Sequence, residues 1–134
     1  MQVKELRGNF LVPIAVPYVA AGGAGGGLYT APNKLAIVSA TMMWGASITG
    51  TATNFFTISF FNRVAGAGTV QFATAVAYSN GVNATKATAV TLTLSSTAAD
   101  LLVAASDTLS IEITTTGTGL VCPGGTLMLT VKNR

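Results

Sequence analysis

Leu109-Ser110-Ile111-Glu112-Ile113-Thr114 sets a large aliphatic side chain at every second position and a polar one between. Successive side chains of an extended chain point to opposite sides, so this stretch has one face for a core and one for the outside. The same period of two recurs through Phe56, Ile58 and Phe60; through Val70, Phe72, Thr74, Val76 and Tyr78; through Val90, Leu92 and Leu94; and through Leu127, Leu129 and Val131. Thr, Ser and Ala fill most of the positions between, and such residues suit a pleated, half-exposed surface.

Turn-forming clusters punctuate these runs: Pro32-Asn33, Thr49-Gly50, Gly66-Ala67-Gly68, Asn80-Gly81, Ser95-Ser96, Ser106-Asp107, Gly117-Thr118-Gly119 and Pro123-Gly124-Gly125. Strands are therefore expected near residues 10–18, 35–44, 54–62, 69–78, 88–95, 101–104, 108–116 and 126–133. No segment has a helical period, and residues 98–105 allow a single short turn of helix. The expected fold class is all-β, an antiparallel two-sheet sandwich, with a jelly roll first and an immunoglobulin-like sandwich second. Trp44 has no cysteine pair beside it, so the antibody-type signature is missing.

The opening of the chain differs. Phe10-Leu11-Val12-Pro13-Ile14-Ala15-Val16-Pro17-Tyr18 carries two prolines four apart, which exclude a helix and a central strand. Five of the eight residues 20–27 are glycine, which reads as a hinge or as backbone in close approach to something else. One reading makes residues 1–19 an extended arm, 20–27 a hinge and 28–134 the sandwich domain. In it Phe10, Leu11, Val12, Ile14, Val16 and Tyr18 are candidate docking residues. The other makes the same stretch a first strand and long loop of one domain.

Composition bounds the function. The chain has 134 residues, the size of one domain, and only 8% are charged against roughly 25% in ordinary soluble domains. A surface of Ala, Thr, Ser and Gly costs little to desolvate and is easily buried against another subunit. The net charge of +3 comes without a basic run or interleaved aromatics, which gives little support to nucleic-acid binding. No apolar run reaches the roughly 20 residues of a membrane helix, and MQVKELRGNF lacks a signal-peptide core. Synthesis in the cytoplasm is the expectation. Asn83-Ala84-Thr85 matches a glycosylation sequon and, with no signal peptide, is read as coincidence.

Chemistry is scarce, and no enzymatic activity, cofactor or metal is expected. Histidine is absent, which removes Ser-His and Cys-His pairs and the commonest metal ligand. Cys122, before Pro123-Gly124-Gly125, reads as a small buried hydrophobe. Asp100 and Asp107 flank Leu101-Leu102-Val103; turn capping is favoured over paired-carboxylate catalysis or a calcium site. Glu112 is placed to pair with a Lys or Arg across a sheet. Phe55 and Phe61 lie with Thr57 and Ser59 on the face opposite Phe56, Ile58 and Phe60. This makes Phe55, Thr57, Ser59 and Phe61 a candidate subunit-interface face, covered either by a partner or by the chain's own N-terminal segment.

From Lys86 to Lys132 the chain runs TLTLSSTAA from Thr91, DLLVAA from Asp100, SDTLSIEI from Ser106, a Gly117-Thr118-Gly119 turn and TLMLTV from Thr126. This pattern resembles the C-terminal half of small β-sandwich virion proteins of tailed bacteriophages, and extends more weakly back to Lys34 and Leu35-Ala36-Ile37-Val38. Ser106 stands where that pattern has glycine before Asp107, a departure that weakens the match. The resemblance implies a non-enzymatic jelly roll, often a homotrimer, that binds the major capsid protein on the shell exterior as a decoration (cement) protein. It carries over no functional residue, because such proteins act through surfaces. A receptor- or glycan-binding tip of a tail fibre or adhesin, and a minor shell or tail subunit, are the alternatives.

Overall fold

The alternating runs become strands. A computed structural model describes residues 8–134, with strands β1 (Asn9–Val19), β2 (Gly25–Thr30), β3 (Leu35–Trp44), β4 (Phe55–Arg63), β5 (Val70–Ala77), β6 (Val90–Thr91), β7 (Leu102–Val103), β8 (Thr108–Thr116) and β9 (Cys122–Asn133). Short 3-10 turns occupy Val64–Gly66 and Ala98–Leu101, the second where one helical turn is expected. The first sheet has the order β1-β9-β3-β6, with β7 also on β3; the second has β2-β8-β4-β5. Both are antiparallel and pack as a sandwich.

Setting aside the two-residue β7, the pairing follows one rule. First strand pairs with last (β1–β9), second with second-last (β2–β8), third with third-last (β3–β6), and the middle two with each other (β4–β5). A single antiparallel ribbon folded in this way, with β9 then meeting β3 and β8 meeting β4, is the jelly-roll wrapping. Only β4 to β5 stays within a sheet; the other connections cross the sandwich.

The inner faces supply the core. Val12, Ile14 and Val16 of β1, Met42 and Trp44 of β3, and Leu127, Leu129 and Val131 of β9 face Phe56, Ile58 and Phe60 of β4 and Leu109, Ile111 and Ile113 of β8; all are buried. Each such side chain contributes about 1.5–3 kcal/mol by leaving water. The buried indole of Trp44 donates its Nε1–H to the Tyr78 hydroxyl at 2.7 Å, and both rings pack edge-on, with centroids 5.5 Å apart. The bond satisfies the one polar atom the tryptophan brings inside.

Irregularities in two strands, β3 and β5, break the alternation. Val38 is an extra residue in β3 and stands 42% exposed. In β5 two register shifts flank Ala73, and both Phe72 and Ala73 turn inward while Thr74 is exposed. The single-face reading of Val70, Phe72, Thr74, Val76 and Tyr78 therefore fails at the bulge, where two residues oppose one.

The division into arm, hinge and body is corrected by the pairing. Residues 9–19 are the edge strand of the first sheet, paired with β9 from Asn9–Lys132 to Val19–Cys122. Pro13 and Pro17 are tolerated there because their missing N–H groups fall on the side away from β9. Residues 1–7, the remainder of the expected arm, lie outside the described residues. The glycine run is the close approach, not the hinge: Gly25 and Gly27 open β2, a strand that the sequence reading missed. A Cβ on Gly27 would overlap the Ala15 carbonyl, and one on Gly25 would lie 2.8 Å from Cγ2 of Val19. Edge strands β1 and β2 thus close one side of the sandwich backbone against backbone. Gly27→Val is expected to cost about 2–3 kcal/mol by overpacking this corner, seen as a lower urea midpoint; an unchanged midpoint would contradict the close approach.

Candidate assembly surfaces

The outward face of the first sheet is built in rows across β1, β9 and β3. Register places Leu11–Thr130–Ser39, Pro13–Met128–Thr41 and Ala15–Thr126–Met43 side by side, with Thr91 of β6 beyond Thr41. No residue in these rows is charged. Leu11 is 62% and Met43 45% exposed. No strand packs over this face among the described residues, since the two sheets meet through their other faces. Its first four-residue row, Asn9–Lys132–Ala36–Leu102, brings in the one cation of the face.

The candidate docking residues of β1 divide by burial. Val12, Ile14 and Val16 point into the core and Phe10 packs against it, so these four are not docking groups. Leu11 and Tyr18 are exposed and remain available. The strand's period explains Leu11, since a paired segment presents alternate residues to the outside; Tyr18 shares the parity of the core residues and is exposed because the alternation breaks between Pro17 and Val19.

The second candidate face lies on β4. Phe55, Thr57, Ser59 and Phe61 do point outward together and are each half-buried. Part of this face is covered by the strand's own Arg63. The Arg63 guanidinium stacks 4.2 Å from the Phe61 ring centroid. Its Nε donates to Ser110 Oγ at 3.1 Å, its Nη1 to the Gly68 carbonyl at 2.8 Å, and its Nη2 pairs with Glu112 across the sheet. The cross-strand partner expected for Glu112 is therefore Arg63. The signal for the cover was present in the chain, because Arg63 sits two residues beyond Phe61 on the same face of the strand.

The two ends of the sandwich differ in charge. At one end the loops 20–24, 45–54, 78–89 and 117–121 interlock. Ile48 and Ala84 exchange backbone hydrogen bonds of 2.8 and 2.9 Å. Asn83 Oδ1 accepts from Gly50 N at 2.9 Å, and Asn54 Oδ1 from Thr118 N at 3.0 Å. Lys86 is the only charged residue of these loops. The opposite end holds Lys34, Asp100, Asp107, Lys132 and Arg134.

The acids at that end serve turns, as their sequence positions suggest. Asp107 is buried and accepts from Ala104 N at 3.1 Å and Ala65 N at 3.4 Å. Asp100 accepts from Ser95 Oγ at 2.5 Å. Asp100 also borders an open groove of about 500 Å³ lined by Val70, Gln71, Thr74, Thr93, Leu94 and Ser96. It is the only ionisable group in that lining, so the groove holds no carboxylate pair. No group of three potential metal ligands occurs among the described residues. No helix among them is long and apolar enough to cross a membrane.

Cys122 is fully buried, with Sγ 3.7 Å from the Pro17 carbonyl. Burial pushes its thiol above the ordinary value of 9.0. Burial likewise raises the Tyr78 phenol, against the Trp44 hydrogen bond, which acts the other way. Both groups become charged by losing a proton, and as pH rises the unfolded chain loses those protons first. Stability is therefore expected to be complete below pH 9.0 and to fall as pH climbs through the raised values of the folded state. Urea midpoints across that range check this; a midpoint that rises with pH would contradict it. A thiol reagent at neutral pH is expected to leave the folded protein unmodified and to titrate one thiol after unfolding.

No protein-family model, curated protein or solved structure matches this chain.

Proposed function

We propose that this chain is a structural subunit of a virus particle, a decoration or cement protein seated on the outside of an assembled phage capsid. One observation carries the reading: the outward face of β1, β9 and β3 is uncharged over three successive rows and uncovered by any strand among the described residues. A face of Thr, Ala, Pro, Met and Leu loses little on desolvation and gains from apolar burial, which suits a lasting contact with a neighbour. The contact elements are this face and the exposed Leu11 and Tyr18, in place of a detached arm.

The mechanism is linkage. A subunit that binds assembled shell but not free shell protein stabilises the shell in proportion to its occupancy. Trimerisation on the major capsid protein multiplies a weak single contact into a strong one. Cryo-electron microscopy of the particle that carries the chain tests the reading. The expected result is density for the sandwich on the shell exterior, with β1, β9 and β3 facing a neighbour. Density at a fibre tip or within a tail would contradict it.

A further inference from the structure

The uncharged face ends in a cationic margin. Lys132 of β9 lies beside Ala36 of β3 in its first row. Arg134 N donates to the Lys34 carbonyl at 3.1 Å, so these two residues adjoin at the same end of the sheet. All three are exposed. Arg134 is held in place: its Nε donates to the Leu35 carbonyl at 3.1 Å and its Nη2 to the Val103 carbonyl at 3.4 Å. Those acceptors are neutral, so the guanidinium is oriented without an ion pair among the described residues. Arg63–Glu112 is the only ion pair among the described residues.

Among its described residues, a second copy of the chain offers these cations no unengaged carboxylate. Each of its three described acids is engaged internally: Asp107 with Ala65 and Ala104, Asp100 with Ser95, Glu112 with Arg63. A polyanion such as duplex DNA suits the margin but not the adjoining face, where Leu11 and Met43 would meet phosphates. The complementary surface is a protein with an uncharged centre and carboxylates along one edge.

We infer that β1, β9 and β3 dock on a shell-protein surface that places Asp or Glu side chains against Lys34, Lys132 and Arg134. The inference rests on the decoration reading and fixes both the orientation of the subunit and the chemistry of its partner. Charges at the rim of an interface act on encounter, so the effect belongs in the association rate and its salt dependence.

The test uses empty capsids of the phage that encodes the chain, prepared without it and immobilised. The wild-type association rate is expected to fall by about tenfold between 50 and 500 mM salt. Lys34→Glu/Lys132→Glu is expected to associate about tenfold more slowly at 50 mM and to converge with wild type at 500 mM, while Lys86→Glu stays within about twofold. Equal rates for the double variant and wild type at 50 mM would overturn the inference and leave the decoration reading standing. Failure of the wild-type protein to bind shells would overturn both. Loss of self-association in the double variant, seen by sedimentation velocity, would make the partner a second copy and overturn it. Hydrogen exchange on shell-bound wild type supplies a readout independent of variant folding. Protection is expected at Lys34–Ala36 and at Thr130–Arg134. Protection confined to β4 and β8 would overturn the inference.

Discussion

Removal of residues 1–19 is expected to leave a chain that does not fold. The deleted strand buries Val12, Ile14, Val16 and Val19. At about 1.5–3 kcal/mol for each side chain, the loss comes to about 6–12 kcal/mol. The whole net stability of a domain is about 5–15 kcal/mol. β9 would also lose its ladder neighbour along the run from Cys122 to Lys132. Far-ultraviolet circular dichroism and a thermal melt decide the matter. The expected result is no cooperative transition; a truncated chain with strand-like spectra and a sharp melt would restore the detachable arm. Leu11→Ser, on the outward side of the same strand, is expected to change stability by no more than about 0.5 kcal/mol.

Two adjacent phenylalanines give the second large effect. Phe60→Ala is expected to cost about 3–5 kcal/mol, because Phe60 is fully buried between Ile111 and Ala73 with its ring 6.0 Å from Phe72. Phe61→Ala is expected to cost about 1 kcal/mol, the order of a half-exposed contact with a cation. Urea unfolding of the two variants measures the difference. Equal losses would mean that β4 is buried on both sides.

The strands with long alternating runs were legible because each side chain declares its face by itself. Leu109, Ile111 and Ile113 sit inward and Glu112 outward, as the period dictates. The local roles of Asp107 and Cys122 were legible too, since a turn aspartate and a buried thiol are decided by immediate neighbours. β2 was hidden because glycine has no side chain to show a period; its reason for being there is the Ala15 carbonyl, far away in sequence. The bulge at Phe72 and Ala73 depends on the register with β4, which no local pattern encodes. The candidate faces were half legible. Phe55, Thr57, Ser59 and Phe61 share a face as expected, and Arg63 of the same strand stacks on Phe61. The barer face arises only when Leu11, Thr130 and Ser39 are brought into one row by long-range pairing.

The central claim is that the uncharged face of β1, β9 and β3 is buried against another protein in the assembled particle. A charge set in its middle tests this most directly. Met128 lies between Pro13 and Thr41, half-buried and on the outward side. Met128→Lys is expected to fold with an unchanged melt and to bind empty capsids about 100-fold more weakly, since an unpaired charge buried at an interface costs about 3 kcal/mol or more. Binding equal to that of the wild-type protein would contradict the claim.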